Sequence, residues 1–330
     1  MILETIIAMA ILAIKIVLLF SVIMLGVAYA PLMERKVLGR IQVRYGPNRV
    51  GWFGLLQPIA DGVKLFFKEE LTVDNANKGM FHLAPIIYMG CALAIYAVIP
   101  FGDDIEILGR TIPLYLTDVN IGILYIFALS SLGVYGLILA GWSSNNKYSL
   151  LGALRASAQM ISYELALGLS IIGVLMLAGS LSMVDIVNAQ ENVWFIVLQP
   201  MGFVLYMICA FAETGRTPFD LVECENELVA GYQTEYSSMK FALFYMAEYT
   251  HIIAVSALAV TLFLGGWRGP FLPPVVWFFG KVFVFVYFFI WVRATYPRFR
   301  YDQLMRFGWK VLLPLTLLNI IITAFVMLFV

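Results

Sequence analysis

The chain has 330 residues; 62% are hydrophobic, only 13% are charged, and mean hydropathy is +0.89. A soluble domain carries about a quarter charged residues, so this composition excludes an ordinary soluble protein and points to a membrane. Twenty-one basic and 21 acidic residues cancel, which gives no ground for a nucleic-acid partner.

A membrane-crossing helix needs about 20 mainly apolar residues. Eight segments qualify, near 5–30, 80–101, 119–142, 156–180, 194–214, 239–265, 275–296 and 309–330. The expected fold is therefore all-α: a polytopic transmembrane helical protein with about eight spans, forming a single membrane domain over 1–330. The first segment is not read as a signal peptide, although Ala28-Tyr29-Ala30 looks like a cleavage site. Glu4 is acidic, no basic residue precedes Lys15, Pro31 follows directly, and the apolar run exceeds the usual h-region of about 7–15 residues. Between the first two spans, residues 52–69 place Trp52, Leu55, Leu56, Ile59, Val63, Phe66 and Phe67 at three- and four-residue intervals. Asp61, Lys64 and Lys68 take the other face. That pattern predicts an amphipathic helix lying in the interface plane or under a partner protein.

Lysine and arginine counts set the expected topology. Loops 31–79, 143–155, 215–238 and 297–308 hold 8, 2, 1 and 3 basic residues, fourteen in all, against only Arg110 and Arg268 in the other three loops. The basic loops are expected on the cytoplasmic (or matrix) side, with both termini on the outer, periplasmic side. A bacterial inner membrane is the preferred setting.

Three cysteines, Cys91, Cys209 and Cys224, make no C-x-x-C pair, so neither a disulfide framework nor an iron–sulfur or zinc site is read from them. His82 and His251 are poor candidates for a haem pair, and there is no P-loop or G-x-G-x-x-G. The expectation is a chain that binds no metal, FMN, haem, iron–sulfur cluster or nucleotide of its own.

Charges inside spans cost a few kcal/mol near the bilayer centre, so each needs a reason. Glu164, Glu213 and Glu248 fall on three successive spans, and Lys15 and Lys281 on two others. His251 shares a helical face with Glu248. Desolvation disfavours the charged form of a carboxylic acid, a property that a proton relay uses; pairing or snorkelling near a helix end is the plainer alternative. The segment 213–238, ETGRTPFDLVECENELVAGYQTEYSS, concentrates acids around one arginine, Arg216. In helical geometry Asp220, Glu223 and Glu227 share a face and Glu225 points elsewhere. A solvated acidic loop is the alternative there, but the interleaved Pro218-Phe219 and Leu228-Val229-Ala230 predict packing. Arg216 is close enough to pair with Glu213 if the helix continues. By contrast, 34–50 and 293–310 are basic and aromatic: Arg35, Lys36, Arg40, Arg44, Arg49, Arg293, Arg298, Arg300 and Arg306. Positive-inside topology accounts for part of this; the rest points to a docking surface for a protein on the same side.

Four stretches carry a resemblance: ERKVLGRIQVRYGPNRVG, GWSSNNKYSLLGALRASAQMISYE, ETGRTPFDLVECENELVAGYQTEYSSMKF and ATYPRFRYDQLMRFGWK. They resemble the H-subunit family of proton-pumping NADH-quinone oxidoreductase, respiratory complex I, and the likeness covers nearly the whole chain. Gly215, Val222, Cys224 and Gln233 depart from the family's usual asparagine, proline, alanine and histidine, while the charged positions are spared. The resemblance implies a membrane subunit that completes a quinone chamber with hydrophilic subunits and adjoins antiporter-like membrane subunits. It implies that Glu34, Arg35, Arg44, Asp61, Arg155, Arg216, Asp220, Glu223, Glu225 and Glu227 line or flank the chamber, and that Glu164, Glu213 and Glu248 begin a proton path. Arg40, Arg49, Arg293, Arg298 and Arg300 are then the docking surface. Quinone is the shared substrate, and lipid and the other complex I subunits are the partners. Two alternatives stay open: an anchor subunit of a related energy-converting hydrogenase, and a free-standing secondary transporter. Against the latter, no inverted repeat with paired broken helices is visible.

Overall fold

A computed structural model of the chain describes residues 2–107, 110–221 and 228–329. Glu223, Cys224, Glu225 and Glu227, together with the shared face expected of Asp220, Glu223 and Glu227, lie outside the described residues or depend on them. Seven helices among the described residues are long and apolar enough to cross a membrane, and an eighth apolar helix is shorter. All eight expected segments are thus helical, and the protein is a polytopic helical membrane protein.

The first helix, α1 (Ile2–Ile41), runs 40 residues, about 60 Å at about 1.5 Å per residue. A hydrocarbon core is only about 30 Å thick. The helix therefore carries Glu34, Arg35 and Arg40, expected in a loop, as a rigid extension of the first span. Helix α2 (Gln57–Phe67) follows a single 3-10 turn at Trp52–Gly54, so the amphipathic helix is shorter than 52–69. Pro58 sits in its first turn, where a missing N–H costs nothing. Its apolar residues Ile59, Val63, Phe66 and Phe67 are exposed, as a helix lying against lipid requires.

Helices α3 (Lys78–Ala94), α4 (Gly122–Ser143) and α5 (Lys147–Ala178) pack in sequence, and a small antiparallel hairpin, Ile105–Ile107 with Arg110–Ile112, joins α3 to α4. Close packing needs small residues: a Cβ on Gly136 would lie 2.9 Å from Tyr88 Cβ, and one on Gly141 2.3 Å from Ala153 Cβ. Helix α5 begins where the Asn146 side chain accepts a bond from the Tyr148 amide at 2.9 Å. It is longer than the expected 156–180 because this cap lies in the preceding loop.

The fifth segment breaks. After the short α6 (Met183–Ala189) come α7 (Phe195–Leu198) and α8 (Pro200–Glu213), separated by Gln199 at φ −128°, ψ 53°. Pro200 cannot donate the bond that would join them. Gln199 instead donates to Thr323 at 2.7 Å and accepts from Asn319 at 3.2 Å. With 14 residues, α8 is about 21 Å long, and it ends on Glu213, which is buried.

Helix α9 (Ser238–Phe263) is the axis of the fold: 89% of its apolar window is buried, against 11% for α1. Ala247, Ala254, Ala257 and Ala259 let neighbours approach, and Thr250, Ser256 and Thr261 satisfy their hydroxyls on carbonyls four residues back. Helix α10 (Pro274–Thr295), α11 (Tyr301–Phe307), a π turn at Gly308–Leu312 and α12 (Leu313–Met327) complete the bundle. Cys91 and Cys209 are free thiols.

Candidate functional site

Helix α8 stops at Glu213, so Arg216 does not pair with it as the spacing suggests. The chain instead turns back and delivers Arg216, 6% exposed, to carboxylates from two other helices. Its Nε lies 2.7 Å from Glu248 Oε1 on α9, and its Nη1 lies 3.3 Å from Glu34 Oε1 on α1. Arg293, from the last turn of α10, reaches the same Glu34 oxygen. Tyr249 donates its hydroxyl to Glu34 Oε2 at 2.7 Å and lays its ring under the Arg216 guanidinium at 4.6 Å. Tyr245 lies one turn away, with its hydroxyl 3.1 Å from that of Tyr249. Two cations thus face two carboxylates in the interior, and the charges balance locally. Burial works against the charge on Arg216, but Glu248, Tyr249 and Glu34 outweigh it and hold the guanidinium protonated well above its ordinary range.

Beside this cluster is an open cavity of about 480 Å³ between α1, α2 and α9. Its walls are largely apolar, with Val27, Pro31, Leu65, Ala242 and Met246, and its polar rim is Arg35, Gln57, Asp61 and Lys64. Arg35 and Gln57 hold Asp61 at 2.7 and 3.0 Å, tying α2 to α1 at the mouth. Tyr245 and Tyr249 line the same wall. Hydrogen bonds therefore run from the cavity through Tyr245, Tyr249 and Glu34 to Arg216, and an ion pair joins Arg216 to Glu248.

The path continues inward. Glu248 and Glu213 share the lining of a void of about 30 Å³ with Gln159, whose Oε1 has no hydrogen-bond partner among the described residues. Glu213 accepts a hydrogen bond from Ser130 on α4, and Glu164 accepts one from Ser131. The three span glutamates are thus placed differently: Glu248 on a cation, Glu213 and Glu164 on neighbouring hydroxyls of α4.

The segment after Arg216 packs as Pro218-Phe219 predicts. Phe219 is buried and its ring stacks on Phe299 at 5.7 Å. Gln159 donates to the carbonyls of Ala212 and Phe219 at 2.9 and 3.0 Å. Asp220, buried, pairs with Arg298 at 2.9 Å. The structure turns Arg293 and Arg298 toward carboxylates of the interior. Arg44 and Arg49 line an open groove with Arg35 and Tyr45, and Arg40 and Arg300 are exposed. Arg155 is placed elsewhere, its guanidinium 4.9 Å from the ring of Tyr301. Among the described residues no group of three or more His, Cys, Asp or Glu is arranged to hold a metal ion.

The family model for NADH dehydrogenase matches residues 14–324. The chain belongs to the NADH dehydrogenase family. An H subunit of NADH-quinone oxidoreductase from Geobacter sulfurreducens is 58% identical over 325 residues, covering 94% of this chain and 93% of that protein. The H subunit of Syntrophotalea carbinolica is 52% identical, covering 97% of each, and that of Dehalococcoides mccartyi is 55% identical over 95% of this chain and 86% of its own length. For this NADH dehydrogenase family member, residue spacing missed the two tyrosines, Ser130 and Gln159. Their signal in the sequence is weak: polar side chains inside apolar spans, where each needs a partner. Tyr249 directly follows Glu248, and only the fold shows that it turns toward Glu34.

Proposed function

We propose that this chain is the membrane subunit of a proton-translocating NADH:quinone oxidoreductase, forming part of the quinone chamber and coupling quinone reduction to proton movement. The observation that carries the reading is the cavity of about 480 Å³ whose wall tyrosines connect by hydrogen bonds to the Glu34–Arg216–Glu248 cluster. Apolar walls suit an isoprenoid substrate, and the opening beside the lipid-facing α2 suits entry from the bilayer. The relatives' shared name, as H subunits of NADH-quinone oxidoreductase, supports the substrate class.

In this reading, hydrophilic subunits bearing the redox centres dock on the basic groove at Arg44, Arg49 and the neighbouring exposed arginines. Small and antiporter-like membrane subunits lie alongside, and the basic loops face the cytoplasm. Charge arriving on quinone perturbs the balanced cluster, and Glu248, Glu213 and Glu164 respond by exchanging protons. Asp220, anchored on Arg298, holds the returning segment that carries Arg216.

The test is Glu213→Gln and Asp220→Asn in membranes holding the assembled complex. We expect NADH-driven pumping to fall at least about tenfold with Glu213→Gln, within the range that a positioned proton-transfer group contributes. If quinone reduction and pumping both stay at the wild-type level in both variants, the coupling role is lost.

A further inference from the structure

One buried polar group is left unused by that path. His251 lies one turn beyond Glu248 on α9 and is 4% exposed. Its ring packs on Tyr88 at 5.3 Å, and its Nε2 has no hydrogen-bond partner among the described residues. A separate void of about 20 Å³ is lined by Glu213, Ser130 and His251 among apolar residues of α4, α5 and α9 and by Ile95 just after α3. A cavity holds one water once it offers about 10–15 Å³ and two to four polar partners. Ordered water is the usual partner of a buried polar atom that the chain leaves unsatisfied. This void has the size, the partners and an orphaned nitrogen beside it.

We propose that the void binds one ordered water bridging the Glu213 carboxyl and the His251 imidazole, and that His251 is a positioning residue for proton transfer at Glu213. The proposal rests on Glu213 standing in the proton path. Among the described residues, the titratable groups placed near His251 are Glu213 from α8, Tyr88 and Cys91 from α3, and Glu248 on its own helix. The Nε2 atom accepts from the water in one imidazole tautomer and donates to it in the other, so a tautomer exchange lets it hold the water in either proton arrangement at Glu213. A water fixed in this way gives Glu213 a second hydrogen-bonded neighbour beside Ser130, and a proton can be received on one side and released on the other.

The test uses the whole complex in native membranes, with assembly checked by native gel and NADH-driven activity staining. A high-resolution map of the wild-type complex is expected to show one solvent peak within hydrogen-bond distance of both side chains. His251→Leu should remove the peak and lower coupled pumping about tenfold, with an increased solvent deuterium isotope effect. His251→Gln, which keeps a donor and an acceptor at similar reach, should restore the rate to within about threefold of wild type. A fully ordered but dry void in the wild type, or an intact His251→Leu complex that pumps normally, overturns the proposal. Glu213→Gln run in parallel separates the two readings: if it alone abolishes pumping, the path stands and the water site falls.

Discussion

Arg216 and Lys281 are both cations taken into the bundle, and the fold satisfies them in opposite ways. The Lys281 ammonium donates to three backbone carbonyls, Leu264 at 2.7 Å, Gly266 at 3.0 Å and Arg268 at 2.8 Å, and sits 4.7 Å from the Trp194 ring. These carbonyls follow the end of α9, where helical acceptors run out of partners. Arg216 meets two carboxylates and a tyrosine that connect onward to a cavity. Carbonyls cannot change charge, so the Lys281 cradle is a fixed clamp. Carboxylates can, so the Arg216 cluster has alternative charge states available to it. Two buried cations at similar burial therefore serve different ends, and the partner chemistry distinguishes them.

The comparison breaks most sharply at Arg216. Arg216→Leu leaves Glu34 with Arg293 as its one cation and Glu248 without its own, and should cost about 3–5 kcal/mol, the range for removing one member of a buried pair. Loss of assembled complex on a native gel would show it. Arg216→Lys keeps the charge but cannot reach both carboxylates with a planar fork, so assembly should survive while quinone reductase activity falls. Lys281→Met strands three carbonyls and should cost about 1–3 kcal/mol, read as a lower Tm of the purified complex. Protons pumped per quinone reduced should be unchanged; a changed ratio would merge the two classes of cation. Tyr249→Phe removes one neutral donor from Glu34 at a cost of about 1 kcal/mol. Its larger effect should be on quinone turnover rather than on Tm, since it cuts the path from the cavity.

The smallest effect belongs to a pair that resembles neither, a half-exposed glutamate on a buried lysine. Glu70 bonds Lys240 at 2.6 Å, and that hydrogen bond, with the Lys240 charge, holds the half-exposed Glu70 carboxyl below its ordinary value. A depressed carboxyl stabilises the fold above its unfolded pKa, and that contribution is lost as pH falls through the lower folded value. Screening keeps such a pair to about 0–1 kcal/mol. Glu70→Gln should therefore lower Tm slightly at neutral pH, and the difference should shrink as pH falls through the lowered folded value.

Much of the architecture was legible in the chain itself. Eight apolar segments, the amphipathic stretch and the costly glutamates follow from periodicity and from the penalty on charge in hydrocarbon, which are local properties. The break at Gln199-Pro200 was not read from the sequence, where 194–214 stood as one span, although Pro200 lacks the N–H that would continue the helix. Only the packed bundle shows that the shortened α8 leaves Glu213 facing a neighbouring serine and that Arg216 turns away from it. The pairing of Glu34 with Arg216 joins residues 182 positions apart, and no spacing rule reaches that far. Composition, the apolar helical segments and membrane class were thus determined by the sequence alone. Which acid meets which cation, and which voids lie between them, was decided by tertiary packing, because a buried charge takes its partner from whatever helix the fold brings alongside.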